Sequence, residues 1–200
     1  MDRAMDTNLP LPLDRAAAEG GPHGLLRAVG ETAREGIGAG AARGREEGAP
    51  LFDILAIDPG PTESGWCRFK DGRVIGSGVM QNDKMRDEIR YGTNATLAIE
   101  MIASYGMAVG RDVFETCVQI GRFVECFSRP ADVQLVYRKD VKLHLCGTAK
   151  AKDPNIRAAL LDLIGPQGTK KEPGPTYGVK THAWAALAVA VTAAQTRIAA

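Results

Sequence analysis

One short segment constrains the fold of this chain more than any other: the sequence ILAIDPGPTESGW at residues 54–66. It begins with aliphatic residues, ends that run on Asp58, and continues at once into Pro59 and Gly60. A short continuous apolar run is typical of a β-strand covered on both faces, so helices are expected on both sides of its sheet. Asp58 has two interpretations at this point: it forms the D-P-G turn, or it binds a metal ion at the end of the strand.

The segments downstream alternate between strand and helix patterns. Apolar runs predict a hairpin after the first strand, two further strands and three helices, while residues 82–92 predict a surface connection or a short helix. The predicted strands are Ile54–Asp58, Gly65–Phe69, Val74–Met80, Thr96–Ile102 and Val133–Tyr137, and the predicted helices are Arg111–Phe127, Pro154–Ile164 and Lys180–Ala199. This alternation predicts an α/β domain with a partly parallel sheet.

The folded domain is predicted to occupy residues 51–200, because residues 1–50 differ in composition. They are rich in Gly, Ala, Arg and Glu and poor in aliphatic side chains, which predicts a disordered tail. The longest apolar stretch, Ala183–Ala194, is too short to span a bilayer and indicates a buried helix. No secretory signal is recognisable, so we expect no membrane association.

Charge and cysteine content narrow the function only slightly. The chain has 25 Lys and Arg against 24 Asp and Glu, so its net charge does not indicate a nucleic-acid partner. Its four cysteines are scattered without a C-x-x-C pair, which predicts free thiols in a reducing cytoplasm.

Two acids occupy positions where a charge is costly. Asp58 ends one apolar run and Glu100 interrupts another, LAIEMI. A carboxylate in a buried strand needs a partner or a cation, because removing a lone charge from water costs several kcal/mol. If the two strands are neighbours, both acids can bind one divalent ion such as Mg²⁺. A salt bridge to a nearby Arg or Lys is the alternative for Glu100.

Three more acidic or imidazole side chains are weaker candidates for the same site. His182 lies at the start of the predicted final helix and is either a polar cap or surface residue, or a ligand and proton-transfer group. Glu63 and Asp153 are predicted to be solvated loop residues. Bare backbone at Gly60 is interpreted as clearance for an anionic substrate.

Candidate DNA contacts lie in the predicted loops. Lys150, Lys152, Lys170 and Lys171 suit phosphate binding, although a solvated basic face explains them equally well. Tyr105, shortly after the Glu100 strand, either stacks on a base or belongs to the core.

The ordered motifs resemble those of the RuvC-type Holliday junction resolvases of the ribonuclease H-like superfamily, in particular the short phage-encoded group. Asp58, Pro59, Gly60 and Gly65 match D-P-G-x-x-x-x-G, and Glu100 ends a matching A-I-E. The segments SYGMAVGRDVFETCVQIGRF, AKAKDPNIRAALLDLIG and THAWAALAVAVT are also similar to the phage group. The resemblance covers roughly residues 53–194.

The resemblance implies a five-stranded mixed sheet flanked by helices, in a homodimer that binds branched DNA. It implies a hydrolase that cuts phosphodiester bonds with Mg²⁺ or Mn²⁺, with two ions in the site. Asp58, Glu100 and His182 would be the metal ligands and catalytic residues. The family commonly has an aspartate three residues after the histidine, where this chain has Ala185. A catalytically weakened protein that only binds branched DNA is therefore the alternative.

Overall fold

The segment that ends on Asp58 forms the central strand of the sheet. In the computed structural model the described residues are 52–198, so the predicted tail at residues 1–50 lies outside them. These residues form a five-stranded sheet in the order β3-β2-β1-β4-β5. The strands are β1 Asp53–Asp58, β2 Glu63–Lys70, β3 Arg73–Gln81, β4 Thr96–Met101 and β5 Gln134–Tyr137.

The sheet is mixed. β1 pairs antiparallel with β2, and β2 antiparallel with β3, through the hairpin turn at Asp71 and Gly72. Both turn residues have positive φ, as a two-residue turn of this kind requires. β4 lies parallel to β1, and β5 lies parallel to β4. The predicted α/β fold with a five-stranded mixed sheet is confirmed.

Helices cover both faces of the sheet. On one face Ile54 and Ala56 pack with the last helix, and on the other Leu55 and Ile57 pack with the two helices of the middle segment. Successive strand residues point to opposite faces, which explains why the run ILAI has no polar alternation. The helices are α1 Asn82–Asp87, which continues as a π-helical turn Glu88–Gly92, α2 Arg111–Cys126, α3 Arg138–Cys146, α4 Asp153–Ile164 and α5 Ala183–Ile198.

Two helices differ from their predictions. Helix α3 was not predicted, because Val141 is its one fully buried residue and its apolar pattern is correspondingly weak. Helix α5 begins three residues later than predicted, because Thr181 adopts a left-handed φ of 41° that cannot continue a helix. His182 therefore immediately precedes α5, and its carbonyl accepts a hydrogen bond from the Ala186 N–H.

Helix α2 has one buried and one exposed face. The buried face of α2 consists of Thr116, Ile120 and Phe123, whereas Phe114 and Val118 are exposed.

All four cysteines are free, as predicted, with Cys67 fully buried and the others half-buried. Among the described residues, no helix is both long enough and apolar enough to cross a membrane.

Candidate active site

The parallel strands end at one edge of the sheet and bring three charged residues together there. Ile57 of β1 is paired with Ile99 of β4, so the next residues, Asp58 and Glu100, lie side by side near the ends of these strands. On the other side of β4, Glu100 is paired with Val136 of β5. Arg138 is the first residue after β5. The carboxyl edge of the sheet thus presents two acids and one arginine in a row.

His182 completes the group from the opposite direction. Its Nδ1 lies 3.1 Å from Oδ2 of Asp58. Asp58 is paired in the sheet with Gly65 of β2, and a Cβ at Gly65 would lie 2.6 Å from the backbone of His182. Only glycine at this position lets the start of α5 lie directly over the hairpin. Position 65 therefore determines that His182 reaches Asp58.

The D-P-G turn is held by side chains other than Asp58. The hydroxyl of Ser64 accepts a hydrogen bond from the Gly60 N–H and donates one to Asn82, and the amide of Asn82 donates to the Gly60 carbonyl. The Asp58 carboxylate points to His182, so the turn-forming interpretation of Asp58 is not what the structure shows. A Cβ at Gly60 would lie 2.4 Å from the Glu63 carbonyl oxygen. The tight turn itself requires this glycine, and clearance for a substrate is not needed to explain it.

Arg138 links the strand acids to helix α4. One terminal nitrogen of its guanidinium is 3.5 Å from Oε2 of Glu100, and the other donates to Oδ1 of Asp153. The salt bridge that was the alternative for Glu100 is therefore present. Asp153, predicted to be a solvated loop residue, is exposed as predicted but is the first residue of α4, and it also lines this cavity. Glu63 is exposed, bonded to Gln81, and does not line that cavity.

Burial makes both strand acids hard to ionise. The side chains of Glu100 and Asp58 are only 12% and 19% exposed. Desolvation raises the pKa of Glu100 to about 7, because Arg138 offsets the cost only in part and Asp58 adds repulsion. Desolvation also raises the pKa of Asp58, against the opposing effect of the hydrogen bond to His182. Two carboxylates of this kind are ionised more easily when a cation is bound between them.

These side chains surround a cavity of about 340 Å³. Its polar wall contains Asp58, Glu100, Arg138, Asp153, Arg157, Thr181 and His182. Its apolar wall contains Ile156, Leu160, Trp184 and Ala185. A wider groove of about 600 Å³ adjoins it, shares Thr181 with it and includes Tyr177 and Lys180. Ala185 thus places a methyl group, and no ligand, at the cavity.

The donor set fits a hard divalent cation. Carboxylate oxygens are the ligands that Mg²⁺ and Mn²⁺ prefer, and Asp58 and Glu100 supply them from neighbouring strands with His182 beside them. Within residues 52–198, no three His, Cys, Asp or Glu side chains already form a ligating group. The argument that a divalent cation fits this site therefore rests on the carboxylate chemistry and the burial of Asp58 and Glu100.

The predicted DNA contacts lie outside this cavity. Lys150, Lys152, Lys170 and Lys171 are all exposed in loops or at the start of α4. Tyr105 is also exposed, in the loop after β4, and has a left-handed φ of 48°. It is therefore not part of the core. Sequence reasoning missed Arg138 altogether, since a basic residue after a short strand carries no distinguishing signal.

Comparison with known proteins identifies the fold. No family model matches the chain, and no curated protein sequence matches it significantly. The structure is similar to that of RuvC from Thermus thermophilus, with 17% identity and a TM-score of 0.54 over 74% of this chain and 97% of that chain. It is also similar to T. thermophilus RuvC in complex with a Holliday junction substrate, with 15% identity and a TM-score of 0.55 over 74% and 96% of the two chains. The chain has a RuvC-like, ribonuclease H-like fold.

Proposed function

Given its RuvC-like fold, we propose that this protein is a metal-dependent endonuclease that hydrolyses phosphodiester bonds in Holliday junctions or other branched DNA. The observation that carries the proposal is the convergence of Asp58, Glu100 and His182 on one cavity at the carboxyl edge of the sheet. One of the similar structures contains RuvC with a Holliday junction, which supports a branched-DNA substrate.

Each of the three residues has a distinct role in this proposal. Asp58 and Glu100 bind Mg²⁺ or Mn²⁺, which supplies an activated water and charge neutralisation at the phosphate. His182 uses Nδ1 to contact Asp58, so Nε2 is the ring nitrogen that can move a proton to or from a substrate. The cavity of about 340 Å³ is partly open to solvent, and the buried side chains of Ile156 and Leu160 form part of its lining.

The DNA itself is proposed to bind around the cavity rather than in it. Lys150, Lys152, Lys170 and Lys171 are exposed cations suited to backbone phosphates. Tyr105 is exposed after the Glu100 strand, where its ring can stack on an unpaired base at the branch point. These contacts are sequence-independent, in keeping with recognition of branch structure.

Replacing Asp58 with asparagine tests the proposal. The wild-type protein is expected to make paired nicks in a synthetic four-way junction when Mg²⁺ or Mn²⁺ is present, and none in EDTA. Asp58→Asn should lower the cleavage rate by about 100-fold or more, the scale on which removal of one charge-stabilising group acts. Its junction affinity, measured by gel shift in Ca²⁺, should change little.

The control is Asp87→Asn, which removes a carboxylate from the exposed surface of α1. It should cleave at the wild-type rate. Wild-type binding without nicks in any metal would instead favour a DNA-binding protein with weakened or lost turnover. Ala185 is the observation that favours this second function, because it leaves the cavity one carboxylate short of the pattern that the family resemblance implies.

A further inference from the structure

Arg138 is fixed at the candidate site by the sheet. It directly follows β5, whose last residue Tyr137 is paired with Met101 of β4. Its backbone therefore lies beside the end of the Glu100 strand. The side chain is 26% exposed and its two terminal nitrogens contact different acids, Glu100 and Asp153. An arginine held in this way presents a permanent positive charge to the cavity, because a guanidinium does not lose its proton in proteins.

The charges around the cavity leave room for only one divalent ion. Three carboxylates line it, from Asp58, Glu100 and Asp153. Two arginines also line it, Arg138 and Arg157, and Ala185 adds no charge. These three negative and two positive side chains sum to −1, which the charge of a single Mg²⁺ or Mn²⁺ already exceeds. A second divalent ion would lie near both the first ion and the guanidinium, and charges of one sign repel strongly where water is partly excluded.

The other basic residue of the cavity is engaged elsewhere. The guanidinium of Arg157 stacks 4.7 Å from the ring centre of Trp184 and donates a hydrogen bond to Gln167. Arg138 is thus the cation of the cavity wall that faces the strand acids. Its planar fork suits two oxygens of a phosphate as well as it suits carboxylates.

We propose that this site uses one divalent ion, bound by Asp58 and Glu100, and that Arg138 supplies the second positive charge to the phosphate being cleaved. This inference rests on the proposed function. It replaces the expectation of two ions in the site. Arg138 acts in this view as a tethered cation that turns from Glu100 toward the substrate when the ion is bound.

Counting bound Mn²⁺ tests this directly, without relying on activity. Free Mn²⁺ is measured by electron paramagnetic resonance while the metal is titrated into the full chain. The wild type should bind one equivalent. Arg138→Gln should bind that equivalent about tenfold more tightly, since a nearby like charge has been removed, and should acquire a second equivalent. Lys139→Gln removes a charge from the neighbouring exposed residue and should match the wild type.

A conservative variant separates charge from geometry. Arg138→Lys should keep one equivalent of Mn²⁺ but cleave the junction about tenfold or more slowly, because lysine lacks the two-pronged donor. Arg138→Lys also tests the proposal if Arg138→Gln does not fold, which circular dichroism would show. If Lys cleaves as fast as Arg, the proposed phosphate contact is wrong.

The possible results separate the inference from the proposed function. One equivalent in the wild type and two in Arg138→Gln support the inference even if no junction is cut, in which case only the proposed function fails. Two equivalents in a wild type that cuts junctions, or the same count in Arg138→Gln as in the wild type, overturn the inference and leave the proposed function standing. A wild type that binds no Mn²⁺ overturns both.

Discussion

Glu100 and Asp58 are acids in positions that oppose their ionisation. Both lie near the ends of adjacent strands, and both are largely buried. Arg138 lies 3.5 Å from Glu100, yet the burial of Glu100 outweighs that attraction. The protein therefore keeps a destabilising pair of carboxylates at this edge, which is a common cost of binding a cation or a substrate. The cost should be measurable as a dependence of stability on pH.

The pH dependence has a definite sign in the metal-free protein. The pKa of Glu100 is about 7 in the folded state against an ordinary 4.5, so the folded state holds the proton more tightly. Its contribution to stability is complete below about 4.5 and is lost as the pH rises through about 7. Glu100→Gln, which cannot ionise, should be more stable than the wild type at pH 8 by up to about 3 kcal/mol, and equally stable at pH 4.

Urea denaturation in EDTA at the two pH values measures this difference. Glu125→Gln, a change at an exposed acid of α2, should have no effect at either pH. Excess Mg²⁺ at pH 8 should make the wild type more stable than Glu100→Gln, because a bound ion stabilises only the protein that keeps the Glu100 carboxylate as a ligand. A variant that is no more stable than the wild type in EDTA at pH 8 would show that Glu100 is not strained by burial.

At the scale of elements, α5 links the core to the site. Its residues Ala186–Ala194 are almost wholly buried, and alanine is the commonest among them. Small side chains let this helix lie close against β1 and β2, which are the strands that carry Asp58 and Gly65. The position of His182 is consequently set by how closely α5 packs on the sheet.

Enlarging one alanine should therefore disturb both stability and the site. Ala190 is 0% exposed, so Ala190→Leu must displace its neighbours and is expected to lower the free energy of unfolding by about 1–3 kcal/mol. Ala158→Leu makes the same change at an exposed position of α4 and should be nearly neutral. Urea denaturation compares the two variants, and equal stabilities would contradict the close packing of α5.

The elements differ in how well sequence predicts them. The strands of Asp58 and Glu100 are evident because burial on both faces leaves long apolar runs, and the D-P-G turn ends the first of them. Helix α3 is missed because it buries little, and Arg138 is missed because its role depends on its contacts with Glu100 of β4 and Asp153 of α4. Sequence shows which residues a buried strand carries, whereas tertiary packing decides which loop charges face them.

At the scale of the whole molecule, α2 presents an exposed apolar surface. Phe114 and Val118 lie one turn apart on it, and Gly121 continues the same face with open space before it. Paired nicks on opposite strands of a junction require two sites, so the predicted homodimer needs a surface of this kind. We expect a second copy of the chain to pack here.

A charge on this surface tests the dimer. Val118→Arg should convert a particle of twice the 21.3 kDa chain mass into a monomer, as measured by light scattering after size exclusion. Leu163→Arg is the matched control, because Leu163 and Val118 are both 53% exposed but lie on different helices. A monomeric wild type would contradict the homodimer. Dimers in both variants would mean that the interface lies elsewhere.

The contact between Gly65 and His182 also affects how related chains should be recognised. A Cβ at position 65 would collide with the backbone of His182, so every substitution there shifts the start of α5. A homologue can therefore retain Asp58, Glu100 and His182 and still have an unassembled site if it lacks this glycine. Surveys that score only the three side chains proposed to act in catalysis would count such a chain as competent. Position 65 belongs in the diagnostic pattern on equal terms with them.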